Sequence, residues 1–133
     1  MDRRTMLMMG GTAAMASVVG LERTAGAAEM AGSEISCGDC RTACLRCVIS
    51  CLEESDREEC IRLCLDCADI CSACDAIAAR KGPMMAALMK VCAEACDQCA
   101  DECEKHKDDA ACQACAEACR KCAEECREMM KSR

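Results

Sequence analysis

The chain has 133 residues, none of them Phe, Tyr or Trp, while 19 are Cys and 11 are Met. It carries 24 acidic and 17 basic side chains, a net charge of −7. That length suits one small domain, and the acidity excludes the basic surface needed for nucleic acid or an anionic membrane.

Residues 1–27 read as an export signal. Arg3 and Arg4 precede the apolar, glycine-containing run "MLMMGGTAAMASVVG", and Ala25-Gly26-Ala27 supplies small residues for cleavage. With Leu7, the arginine pair resembles the twin-arginine type, which exports folded proteins. Asp2 before the pair, and Met6 where Phe is usual, depart from that pattern, and an ordinary secretory signal or an uncleaved anchor is the alternative. The segment holds three basic and two acidic residues, so its removal leaves 14 and 22 and a net charge of −8. The expected location is the periplasm, or the cytoplasm if the signal is not used. Residues 28–35 form a short N-terminal segment, and 36–133 the folded domain. No later stretch is apolar enough to span a membrane.

The cysteines then fall in four blocks. The first is Cys37, Cys40, Cys44, Cys47 and Cys51; the second is Cys60, Cys64, Cys67, Cys71 and Cys74. The third is Cys92, Cys96, Cys99 and Cys103; the fourth is Cys112, Cys115, Cys119, Cys122 and Cys126. Every interval within a block is 3 or 4, the repeat of one helix face and not the period of 2 of a strand. Each block therefore predicts one helix with a stripe of thiols. Ser36 with Asp39, and Ser55 with Glu58, have the spacing of capping boxes. Gly82-Pro83 reads as a C-terminal glycine followed by a first-turn proline, and Asp109 as the N-cap of the last helix. Short connections make successive helices antiparallel neighbours. The fold class is all-α, an up-down-up-down four-helix bundle with a cysteine-lined core.

Three methionines and the only histidine extend the stripes. Met89 and Met85 precede Cys92 by 3 and then 4 more, and Met129 follows Cys126 by 3. In an up-down bundle all three gather at one mouth, either as neutral thioether ligands for a soft cation or as plain core filler. Met84 and Met130 adjoin them. His106 follows Cys103 by 3 at the other end, either as a terminal metal ligand or as a helix-end residue suited to the dipole between Lys105 and Lys107. A second apolar edge runs along the first two helices through Leu45, Val48, Ile49, Leu52, Ile61 and Leu65. Leu63, Ile70 and Ile77 repeat every seven. This edge predicts a homo-oligomer interface, with a wider core as the alternative.

The thiol stripe carries the chemistry. An exported, cysteine-rich chain ordinarily forms disulfides, but the number is odd and mid-helix neighbours strain a bridge. Nineteen thiols in register exceed what small core hydrophobes require, so metal binding is the reading. Thiolates select Cu(I), zinc or iron–sulfur, and no iron–sulfur ligand run is present. Zinc would take one cysteine from each helix, but four such layers would place about −8 in an apolar core. One Cu(I) per thiolate is neutral. Seven CxxC and eight CxxxC pairs offer overlapping two-sulfur sites, so many Cu(I) ions are expected in one bundle. A zinc or general thiol buffer remains an alternative. A thiol–disulfide oxidoreductase is another, although the βαβ context of such a site is missing and no catalytic set of residues is visible.

The stretches "VCAEACDQCADECEKH" and "CQACAEACRKCAEEC" resemble the copper storage proteins, over about Cys37 to Cys126 and most densely from Met89 onward. The resemblance implies a four-helix bundle whose inward cysteines bind many Cu(I) ions. It also implies methionine and histidine at the open end where copper is taken in. The signal resembles that of the exported branch, whose members assemble as tetramers. The thiol number is nearer that of the cytosolic branch.

Overall fold

The computed structural model describes residues 36–131. The export signal and the segment that follows it lie outside them. Four helices form the domain: α1 (Cys37–Leu52), α2 (Glu58–Ala79), α3 (Met85–Cys103) and α4 (Ala110–Lys131). Each packs on its chain neighbours, and α4 closes the ring against α1, as expected for an up-down-up-down bundle. No described helix is long and apolar enough to cross a membrane.

Small residues set the helix spacing. Beside the cysteines, the buried positions are mostly Ala68, Ala93, Ala100, Ala116 and Ala123, each directly following a cysteine. Only Val48, Met85 and Met89 are larger. Helices approach as closely as their contact side chains permit. A seam of Cys and Ala therefore brings sulfurs from facing helices together, where Leu and Phe would hold them apart. The charged faces are tied outside, where Arg120 bridges Asp97, Asp101 and Glu104 between α3 and α4 and Arg127 also pairs with Asp97.

Three of the expected helix signals resolve differently. Ser36 does precede α1, but its hydroxyl and backbone N–H donate to Glu125 Oε1 at 2.5 and 2.8 Å, so Asp39 completes no capping box. The carboxylate of α4 wins because it accepts both donors and ties the start of α1 to the end of α4. Ser55 caps nothing: Asp56 takes a left-handed φ of 59°, and α2 begins after Arg57. Pro83 sits in the turn Gly82–Met85, before α3 and outside its first turn.

The end of α2 shows why the glycine is at 82. The Gly82 N–H reaches Ile77 O at 3.0 Å and the Lys81 N–H reaches Ala78 O at 3.1 Å, the two bonds of a Schellman motif. The left-handed residue is Lys81, at φ 51°, while Gly82 has no positive φ. A Cβ on Gly82 would lie 3.3 Å from Ile77 Cγ2, so space and not φ favours glycine there. Lys81→Gly is expected to raise apo stability by about 1 kcal/mol and Tm by about 4–8 °C, read by thermal melting. An unchanged or lower Tm would remove the left-handed assignment.

The apolar edge of α1 and α2 is partly core. Val48 is buried, and Leu45, Ile61, Leu63, Ile70 and Ile77 pack against the thiol cluster. Ile49, Leu52 and Leu65 stay exposed, the first two at 64%.

Candidate metal centre

All nineteen cysteines are buried free thiols. Their sulfurs form one continuous network along the bundle axis. The shortest pairs cross between helices, Cys47–Cys112 at 3.3 Å and Cys37–Cys122 at 3.4 Å. Within a helix only i,i+4 pairs come within 4.0 Å, as for Cys47–Cys51, Cys67–Cys71, Cys99–Cys103 and Cys115–Cys119. No CxxC pair does. Each helix thus carries one short pair at the CxxxC spacing, and the other short contacts cross between helices. At 100° per residue, i and i+3 are splayed by about 60° and i and i+4 by about 40°, so CxxC sulfurs turn toward different neighbours.

Sets of four sulfurs lie within 4.8 Å of one another, and they overlap. Cys40 and Cys96 belong both to the set with Cys67 and Cys119 and to the set with Cys71 and Cys122. Cys119 recurs with Cys44, Cys99 and Cys115, and Cys122 recurs with Cys37, Cys92 and Cys126. Cys47, Cys60, Cys64 and Cys103 form a further set toward the other end. Cys74 lies at the end of the stripe, 1% exposed.

The two ends of the network differ in chemistry. At one, Met89 and Met85 are buried one turn and two turns before Cys92, and Met129 is half-buried against the core. Met130 packs there too, while Met84 is exposed. At the other, His106 does not face sulfur: its Nε2 lies 3.1 Å from Glu102 Oε2. The group that touches the thiols is Arg57, whose Nη1 donates to Cys51 Sγ and Cys112 Sγ, each at 3.5 Å. The same nitrogen pairs with Asp109 Oδ2 at 3.0 Å, and Ser50 Oγ donates to that oxygen at 2.8 Å. Asp109 Oδ1 meanwhile accepts from the N–H groups of Ala111 and Cys112, the N-cap expected of it. Sequence reading missed Arg57, although the signal was there: Arg57 precedes Cys60 by 3 and Asp109 precedes Cys112 by 3, the same stripe extension that marked the methionines.

A family model described as copper storage protein matches residues 27–131. The chain belongs to the copper storage protein family. An uncharacterised cysteine-rich protein of Bacillus subtilis strain 168 is 45% identical over 77 residues, 56% of this chain and 71% of that protein. Among solved structures, the Cu(I)-bound copper storage protein BsCsp3 of Bacillus subtilis is 45% identical with a TM-score of 0.67, over 71% of this chain and 92% of that one. A cytosolic copper storage protein from Streptomyces lividans, with five coppers, is 37% identical with a TM-score of 0.71, over 77% and 92%. The Streptomyces lividans protein Ccsp loaded with 10 copper equivalents is 38% identical with a TM-score of 0.69, over 72% and 79%.

Hydrogen bonds between neighbouring thiols in this member of the copper storage family push their pKa values apart, some up and some down. Hydrogen bonding to Cys122, with burial, holds the Cys37 thiol far above the ordinary range. Cys103 and Cys119 are held there by Cys115 and burial. Cys92, hydrogen-bonded to Cys122, is pulled the other way, so the accepting sulfurs yield protons first. Burial raises Cys51, and Arg57 opposes that rise.

For Asp109, burial raises the carboxyl, but hydrogen bonds from Ser50, Cys112, Arg57 and Ala111 outweigh it and bring it down to about 2. The stability this depressed carboxyl contributes is therefore complete above the unfolded value near pH 4 and is lost as pH falls through 2. Asp109→Asn keeps the cap and lacks the charge. The apo variant should be about 1 kcal/mol less stable than the parent at pH 6, once solvent screening is allowed for, and equal to it near pH 2. Urea melts at the two pH values check this; a gap that persists at pH 2 would mean the cap, and not the charge, was lost.

Proposed function

We propose that the chain stores Cu(I), holding many ions between the inward-facing cysteine thiolates of its bundle. The observation that carries this reading is the overlap of the four-sulfur sets in a core without a buried polar or charged side chain among the described residues. Geometry alone does not select the metal. Tetrahedral zinc with Zn–S of about 2.3 Å needs sulfurs about 3.8 Å apart, and such separations are present. Overlap and charge do select it. A sulfur shared between sets bridges two ions, and isolated tetrathiolate layers leave about −2 each in an apolar interior. Cu(I) accepts two or three sulfurs, tolerates bridging thiolates and replaces one thiol proton per ion with no change in charge. The Cu(I)-bound relatives support the same choice.

Storage fits the burial better than catalysis or delivery. No CxxC pair stands apart as a reactive dithiol, and no thiol is exposed for docking. We assign the chain no catalytic role. Offering the reduced protein equal Zn(II) and Cu(I) without oxygen tests the reading through the metal content retained. Copper in several-fold excess is expected; four or five zinc ions with little copper would establish the zinc buffer instead.

Met85, Met89 and Met129 form the neutral mouth through which copper is taken up, since thioethers bind a soft cation weakly and release it inward. Export through residues 1–27 is supported by the family match beginning at residue 27, although one similar structure is of a cytosolic protein. N-terminal sequencing of the mature protein decides it: a start near Ala28 shows processing, an intact Met1 shows none. Exposed Ile49, Leu52 and Leu65 support a homo-oligomer, a tetramer by family resemblance. A monomer by light scattering at micromolar concentration would remove that part.

A further inference from the structure

We propose that Arg57 is the internal counter-ion of a two-thiolate copper site made by Cys51 and Cys112, at which a single Cu(I) carries net negative charge. The inference deepens the copper reading and rests on it. Cys51 Sγ and Cys112 Sγ are 3.7 Å apart, with Arg57 Nη1 3.5 Å from each. Cys47 Sγ lies beneath, 3.9 Å from Cys51 and 3.3 Å from Cys112, and completes a three-sulfur corner.

The placement of Arg57 is built and not incidental. A loop arginine would ordinarily extend into water, yet this side chain is only 15% exposed and lies over sulfur. Asp109 holds it there while its own charge is met by the first N–H groups of α4 and by Ser50. Asp56, just before it, adopts a left-handed φ of 59°, and such strain persists where the surroundings fix a side chain's direction. Among the described residues no other cationic side chain hydrogen-bonds to a cysteine; Arg120 and Arg127 engage surface carboxylates.

The consequence is a different proton balance at this end. In the interior, one Cu⁺ replaces one thiol proton, giving Cys–S–Cu and one H⁺ at constant charge. A second thiolate on the same ion would leave an uncompensated anion in an apolar core. Under Arg57 it is compensated: two Cys–SH and one Cu⁺ give the anionic dithiolate and two H⁺, beside a guanidinium that stays charged at every relevant pH. The first ion bound therefore settles here and is the last removed.

The test counts protons. Cu(I) is added anaerobically, as its acetonitrile complex, to the reduced full chain in weakly buffered solution with a pH indicator. The first equivalent should release nearly two protons per copper, and later equivalents one. Arg57→Lys, which keeps the charge, should retain most of the excess. Arg57→Met should release one from the start and should hold its first ion against a Cu(I) chelator about 10- to 100-fold less tightly. One proton per copper from the first addition in the parent chain overturns the proposal, and needs no variant to fold. Superimposable curves for the parent and Arg57→Met overturn it equally. Both results leave the copper reading standing if total uptake is large; uptake that stops at four or five ions sinks that reading instead.

Discussion

Saturating the reduced bundle with Cu(I) is expected to raise its melting temperature by several tens of degrees. The apo core has no aromatic residue, and its largest fully buried side chain is Met89. Cysteine and alanine bury little apolar area each, so the transfer term that stabilises an ordinary bundle is small here. A ligand that binds only the folded state adds about 4 kcal/mol per ion at a thousand times its Kd. Two or three such ions already match the whole stability of a typical domain, about 5–15 kcal/mol, and each kcal/mol moves Tm by about 4–8 °C. The metal is thus a large part of what holds the loaded fold together. Differential scanning calorimetry of apo and loaded protein reads the effect. Equal melting temperatures would mean that the ions sit outside the core.

The position of a cysteine in the sulfur network should decide how much copper its loss removes. Cys119 Sγ lies within 3.9 Å of the sulfurs of Cys40, Cys44, Cys67 and Cys115, and belongs to two four-sulfur sets. Cys74 lies at the end of the stripe, beside Cys37 and Cys126, so removing it should cost one ion at most. Cys119→Ala should lose about two or more Cu(I) per chain, because each bridging thiolate serves two ions. The apo stability of Cys119→Ala should fall by only about 1 kcal/mol, since one sulfur leaves a small void. Native mass spectrometry of the loaded variants gives the counts. Equal losses at both positions would contradict a shared network and favour independent sites.

Much of this was legible because the cysteines are themselves the core. Intervals of 3 and 4 over four blocks are both the helix signal and the site. The stripe 37–51 accordingly delimits α1, which runs Cys37–Leu52, and the steps back from Cys92 reach Met85, where α3 begins. Asp109 was legible as a cap for the same local reason. What escaped depends on contacts distant in sequence. Ser36 has the spacing of a capping box, but Glu125, 89 residues away, takes its donors. Arg57 lies in the charged run "EESDREE", whose composition signals solvent, and only the fold turns that side chain onto Cys51 and Cys112. Sulfur pairing across helices was hidden as well, because spacing along one helix does not give the rotation of its neighbour. Gly82 signalled a helix end correctly, but the left-handed residue is Lys81, since crowding against Ile77 and not φ places the glycine.

An anaerobic titration of the reduced protein with Cu(I) against a competing chelator tests copper storage most directly. The chain contains no Trp or Tyr, so near-ultraviolet copper–thiolate absorption is unobscured. Neutral copper–thiolate clusters predict tight uptake approaching one ion for each of the 19 thiols. Saturation at four or five ions, with zinc held more tightly than copper, would contradict the overlapping-site core and replace it with stacked tetrathiolate layers.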